Sequence, residues 1–157
     1  MLKKYLFIFF LSMVPVIELR GAIPFAVNWE LDYWTALTVC AIGNMLPVPF
    51  IYFFARKILH WGADKQYIGK FFRFCIEKGE RGGQKLTARA GRGGLFVALM
   101  LFVGIPVPGT GAWTGTLAAS FLNMGIRSTA ASVSLGVIIA GIIMGVASTG
   151  VFSIFGI

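Results

Sequence analysis

The chain has 157 residues, 57% of them hydrophobic and 15% aromatic, with a mean hydropathy of +0.82 and a formal net charge of +8. That composition excludes an ordinary soluble domain. Ten-residue alternating strands do not recur, which excludes a transmembrane β-barrel and leaves an all-α integral membrane protein. Cys40 and Cys75 suggest neither a disulfide framework nor a metal site, and no cofactor is expected. The single histidine, His60, lies far in sequence from any plausible nucleophile, so an enzyme is not expected.

Lys3 and Lys4 precede an apolar run, but no small-residue cleavage site follows, so this segment is expected to stay in the mature protein. Segment one, Tyr5 to Val27, is apolar except at Pro15-Val16-Ile17-Glu18-Leu19-Arg20-Gly21-Ala22-Ile23-Pro24. A charge at the bilayer centre costs roughly 2.5–3.5 kcal/mol on insertion scales, so two of them need a reason. Pro15 and Pro24 remove backbone donors, and Gly21 loosens the helix further. Broken backbone at membrane depth survives only where protein buries it or a watery cavity bathes it. The decapeptide is therefore expected to be the tip of a re-entrant loop facing an internal site.

Asn28 to Tyr33 is a short polar link carrying Glu30 and Asp32. Segment two, Trp34 to Ala55, is about 22 residues long, enough to span, with a kink expected from Asn44, Pro47 and Pro49. Trp34 and Tyr52 suit the interfacial aromatic belt. Arg56 to Gly94 is the only long hydrophilic region and holds ten of the fourteen Lys/Arg residues against three acids. The positive-inside rule places it in the cytoplasm of a cell-membrane protein. Within it, Tyr67, Ile68, Phe71, Phe72 and Cys75 recur at helical spacing, as in an amphipathic helix on anionic lipid or a short helix packed on the membrane part. Gly79 to Gly94 reads as a flexible basic approach to the next span; it follows no strand, so neither a nucleotide site nor a nucleic-acid partner is expected.

Segment three, Leu95 to Met124, is broken at Pro106-Val107-Pro108-Gly109-Thr110-Gly111-Ala112-Trp113-Thr114-Gly115. Segment four, Ala130 to Ile157, is long and apolar. Ser132, Gly136 and Ala140, and separately Gly141 and Gly145, recur four apart, as in faces that let helices approach closely. Such faces serve packing within the chain or a seam between copies, and a homo-oligomer, a dimer first, is expected.

The halves resemble each other. Pro15-Val16 recurs as Pro106-Val107, and Gly21-Ala22 as Gly111-Ala112. The expected organisation is one membrane domain over 1–157: repeat one at 5–55, a cytoplasmic linker at 56–94 with its amphipathic helix, and repeat two at 95–157. Each repeat is a re-entrant broken helix plus a transmembrane helix. An odd number of crossings per half would invert the second repeat; the rival arrangement makes both broken segments full crossings, with parallel repeats. Corresponding interrupted segments in two halves point to a transport site near the midplane.

Residues two apart do not share a helix face but do share a side of extended chain, so Glu18 and Arg20 can line one cavity where the helix is broken. In the second break, Pro106 and Pro108 stop one half-helix and a second begins near Thr110. Its free N–H groups are a ready anion seat. Arg20 offers a planar fork suited to phosphate or carboxylate, and Glu18 is a proton-carrier candidate. Gly21, Pro108, Gly109 and Gly111 shape the breaks, and Asn44, Thr110, Trp113 and Thr114 are further candidates for lining the site. The alternative is that Glu18 and Arg20 form a buried structural ion pair.

On Glu18-Leu19-Arg20-Gly21-Ala22-Ile23-Pro24, Gly43-Asn44 with Pro47, Gly94-Leu95-Phe96, and Ile105 through Gly115, the chain resembles the putative small multidrug export protein family over nearly its whole length. More distantly it is similar to the DedA-type membrane proteins, which implies movement of polyprenyl-phosphate or other lipids across bilayers. There the second re-entrant loop reads roughly Phe-x-x-Arg-x-x-Pro-Gly-x-Arg. Here Phe102 and Pro108-Gly109 fit, whereas Ile105 and Gly111 stand at the arginine positions, so Arg20 would have to supply the positive charge. The function expected first is a transporter or flippase of an anionic amphiphile, with membrane lipid as surroundings and protons exchanged at Glu18. The alternatives are proton-coupled export of cationic amphiphiles and a non-transporting membrane interaction protein.

Overall fold

The computed structural model describes the backbone of residues 1–107 and 109–155, and their side chains apart from those of 86, 87 and 151–155. The described residues form α1 (Leu2–Met13), α2 (Glu18–Asn28), α3 (Tyr33–Met45), α4 (Val48–Ala63), α5 (Gly69–Gly104), α6 (Ala112–Phe121) and α7 (Ile126–Phe155). Tyr33–Ala63 and Ile126–Gly150 are each long and apolar enough to cross a membrane, and α5 adds a third span if its two bent halves count as one. The protein is a multi-pass membrane protein.

α1 and α2 fold back on each other. The Phe7 ring, early in α1, lies 6.0 Å from Phe25 and 5.3 Å from Trp29, and the Lys4 ammonium lies 5.7 Å from the Trp29 ring, so the start of one helix meets the end of the other. Between them Val16 (φ 77°) and Glu18 (φ 51°) take left-handed backbone, a conformation disfavoured for residues with side chains. The second half of α5 and α6 make a matching antiparallel pair. Gly115 faces Val103 and Leu99, while Leu95 and Leu122 border a common cavity.

α3 and α4 form one bent stretch, with Pro47 at the N-cap of α4 where its missing donor costs nothing. The stretch runs past Ala55 to Ala63, so the basic residues Arg56 and Lys57 belong to the helix. Asp32 caps α3, accepting from the Thr35 amide at 2.8 Å and its hydroxyl at 2.6 Å, and those two bonds lower its carboxyl below the usual range. α7 packs in the centre. Its Gly136 faces Met100 O and Val103, Gly141 faces Leu37 and Leu19, and Gly145 faces the Tyr33 ring, so both small-residue faces are engaged within the chain.

The segment from Gly79 to Gly94 is not the flexible approach expected from its glycines. It is helical, with only Gly91 (φ 70°) leaving helical geometry. Glycine in a helix costs about 1 kcal/mol relative to alanine, but Gly79 and Gly83 here face the carbonyls of Phe121 and Leu122, where a Cβ would overlap backbone. Docking against the α6–α7 turn offsets the propensity. Ahead of it, Phe72 packs on Gly62 and Arg73 Nε donates to Ala63 O at 3.0 Å, while Tyr67, Phe71 and Phe74 stay exposed.

Candidate functional site

The two breaks in the chain touch, and each closes the helix ends of the other. A helix leaves its first N–H groups and last C=O groups without intrahelical partners. At the start of α6, the amides of Ala112 and Trp113 donate to Glu18 Oε2 at 3.0 Å and Oε1 at 3.1 Å. The Gly111 amide donates to Thr114 Oγ1 at 2.9 Å. The carboxylate thus sits on the positive end of α6, where a negative charge is most stabilised.

Arg20 does the opposite work at the end of α5. Its Nη2 donates to Val103 O at 3.0 Å, Ile105 O at 3.1 Å and Thr110 Oγ1 at 3.0 Å. The same guanidinium also donates to Val107 O and Thr110 O. A planar fork reaches several oxygens at once in a way an ammonium cannot. In return, the Trp113 indole Nε1–H donates to Met13 O at 3.2 Å, at the end of α1.

Glu18 is 5% exposed, yet the only ion pair within 4.0 Å among the described residues is Glu77–Arg81 at the surface. Glu18 and Arg20 are therefore held by backbone groups of the second break, and Arg20 also by the Thr110 hydroxyl, with no direct ion pair between them. The amides that the sequence leaves open to a ligand anion are occupied by the chain's own carboxylate. The half-helix begins at Ala112, two residues later than expected.

The remaining candidates divide. Asn44, 2% exposed, borders a small void together with Glu18 and Arg20, walled by Leu19, Val103 and Ala140, and its Oδ1 has no hydrogen-bond partner. Thr110 braces the second break, its Oγ1 lying 2.8 Å from both Ile105 O and Val107 O. Gly109 (φ 87°) stands exposed at the tip, where its backbone and not its surroundings require glycine. Gly111 is buried against Glu18, and a Cβ there would overlap the carboxylate. Thr114 is exposed at the surface apart from its bond to Gly111. Gly21 faces Ile17, the N-cap of its own helix, and not the second break. Pro108 lies outside the described residues. The contributors missed from sequence are the carbonyls of Met13, Val103, Ile105 and Val107. They are backbone groups, and the only hint of them was that the prolines must leave helix ends unpaired.

Beside the junction, Trp113 also borders an outward apolar groove of about 650 Å³ with Phe50, Phe53, Phe54 and Lys57.

A family model described as "Putative small multi-drug export protein" matches residues 18–143, a span that opens on Glu18 and takes in both breaks. No curated protein and no solved structure matches the chain.

Proposed function

The chain belongs to the small multi-drug export family, and we propose that it is a transporter whose site is the junction of the two helix breaks, moving an anionic amphiphile such as a polyprenyl-phosphate lipid with exchange of a proton at Glu18. On this reading α1–α2 and the second half of α5 with α6 are re-entrant hairpins that meet inside the membrane. α3–α4 and α7 are the spans, the two halves are inserted upside down relative to each other, and the basic stretch 56–94 faces the cytoplasm.

The observation that carries the reading is the Glu18 carboxylate on the amides of Ala112 and Trp113. A pair of amides at a helix N-terminus suits phosphate and carboxylate alike, so Glu18 is an internal occupant of an anion seat. Protonation removes the charge that holds it there. On this reading the neutral acid donates its hydrogen to Asn44 Oδ1, a buried acceptor without a partner on a residue that borders the same void, which relieves a cost of about 1–3 kcal/mol. The freed amides then take the headgroup anion, while Arg20 keeps the end of α5 in place and contributes positive charge. Loss of the proton on the other side returns Glu18 to its seat and expels the headgroup.

The test is flux of a fluorescent anionic amphiphile in proteoliposomes with and without a pH gradient. Glu18→Gln should abolish the dependence on the gradient while the protein remains folded. Gradient-dependent flux equal to wild type in that variant would remove the proposed role. The groove lined by Phe50, Phe53, Phe54 and Trp113 favours a second reading, export of cationic amphiphiles drawn to aromatic faces and to Glu18. In that case dye efflux would compete with protonation, and the anionic substrate would not move.

A further inference from the structure

We propose that the elbow of α5 binds the phosphate of a membrane-lipid headgroup. α5 bends by 105° between Gly69–Lys85 and Ala88–Gly104. The first arm cannot swing freely, because Gly79 and Gly83 seat it directly on the carbonyls of Phe121 and Leu122. The bend therefore frames a cavity of about 810 Å³ between the two arms and the start of α7. Ligand sites commonly fall in the range of roughly 300–1,000 Å³.

The lining is amphiphilic. Arg92 enters from the second arm and Arg127 from the first turn of α7, joined by Gln84 and Ser128, while the buried Leu95 and Met124 border the same space. Two guanidinium groups from different helices match a phosphate, whose oxygens accept paired N–H donors. The depth fits a lipid as well. Leu95 opens the apolar run of α5 and Ile126 opens α7, so the cavity lies where two apolar segments begin, at headgroup level, beside the basic stretch. Glu80 also borders it. That carboxylate opposes a doubly charged phosphomonoester, and it accepts a hydrogen bond from a phosphodiester headgroup carrying a hydroxyl. The site shares no lining residue with the void at Glu18, so it does not rest on the transport reading.

The test uses the full chain in neutral detergent, titrated with phosphatidylglycerol, phosphatidylcholine, or glycerol 3-phosphate, and read by native mass spectrometry. Phosphatidylglycerol should bind about tenfold or more tightly than phosphatidylcholine, because its phosphate charge is not offset by a choline ammonium beside the two arginines and its glycerol hydroxyls can donate to Glu80. The paired change Arg92→Gln with Arg127→Gln should remove that preference. The pair Lys65→Gln with Arg89→Gln, exposed basic residues outside the cavity, should keep it. Gly125→Trp provides a test that leaves both arginines in place. Gly125 borders the cavity and has open space around its Cβ, so the indole should fill the site and abolish binding. Equal loss in both arginine and control pairs, full binding to Gly125→Trp, or glycerol 3-phosphate binding as tightly as the lipid would each overturn the proposal.

Discussion

Glu18 and Trp113 join the two breaks in both directions. The Trp113 amide donates to the Glu18 carboxylate at 3.1 Å, and the Trp113 indole donates to Met13 O, just before the break that leads to Glu18, at 3.2 Å. With Arg20 on the carbonyls at the end of α5, three side chains close ends of α1, α5 and α6. The two breaks thus share hydrogen-bond partners, and the junction is a packing contact between the halves as well as the candidate site.

Gly111→Ala tests the packing of that junction. The added methyl overlaps the Glu18 carboxylate, and overpacking of this kind typically costs about 1–3 kcal/mol. Thermal unfolding in detergent should show the loss. Glu18→Ala in the same chain should recover part of it, because the two residues are in contact and their effects are not additive. Strict additivity would mean that the carboxylate does not lie where the geometry puts it.

Arg20→Lys separates charge from shape. The lysine keeps the positive charge but cannot reach Val103 O, Ile105 O and Thr110 together. Stability should fall by about 1.5–3 kcal/mol, the worth of a single charge-assisted bond, with Arg20→Ala lower still. Unfolding curves indistinguishable from wild type for the lysine variant would show that the fork is dispensable.

Gly83→Ala has a sign that depends on docking. In an undocked helix, alanine would stabilise by about 1 kcal/mol. Against Leu122 O it must push the arm away, so hydrogen exchange in residues 69–85 should rise and the melting temperature should fall. A more stable variant would contradict the docked arm.

Asp32 supplies a pH dependence. Its folded-state carboxyl is held below the ordinary value by the Thr35 bonds, so the capping contribution is complete above the unfolded value near 3.9 and is lost as pH falls through the folded one. The melting-temperature gap between wild type and Asp32→Ala should be constant near neutrality and should close on acidification. A gap that persists in strong acid would assign the effect to packing.

Much of this was legible in the residues, and what was not has a physical cause. Pro15 and the run Pro106 to Gly111 stop helices, so both breaks were legible, but the first is shorter than the decapeptide. Gly21 and Pro24 lie inside α2, and Glu18 and Arg20 stand on its first turn and not on extended chain. Those two residues were conspicuous as charges in apolar surroundings. What they bind was hidden, because their partners are main-chain amides and carbonyls that carry no side-chain signature. The glycines of α5 misled for a related reason. Propensity counts Gly79 and Gly83 as breakers, but their value lies in a close approach to Phe121 and Leu122 that only the tertiary structure reveals. The kink at Pro47 was visible, whereas the continuation to Ala63 was masked by Arg56 and Lys57. Arg56 keeps its charge compatible with that helix by donating to Asn123 Oδ1 at 2.7 Å and Tyr52 Oη at 3.2 Å.

The most direct measurement is infrared difference spectroscopy of the reconstituted protein across the pH range in which flux changes. The expected result is one carboxylic-acid carbonyl band that grows on acidification, vanishes in Glu18→Gln and shifts in Asn44→Leu, where its acceptor is gone. Proton-driven flux with no band assignable to Glu18, or a Glu18 band unmoved by Asn44→Leu, would contradict a carboxyl that leaves the α6 amides for Asn44.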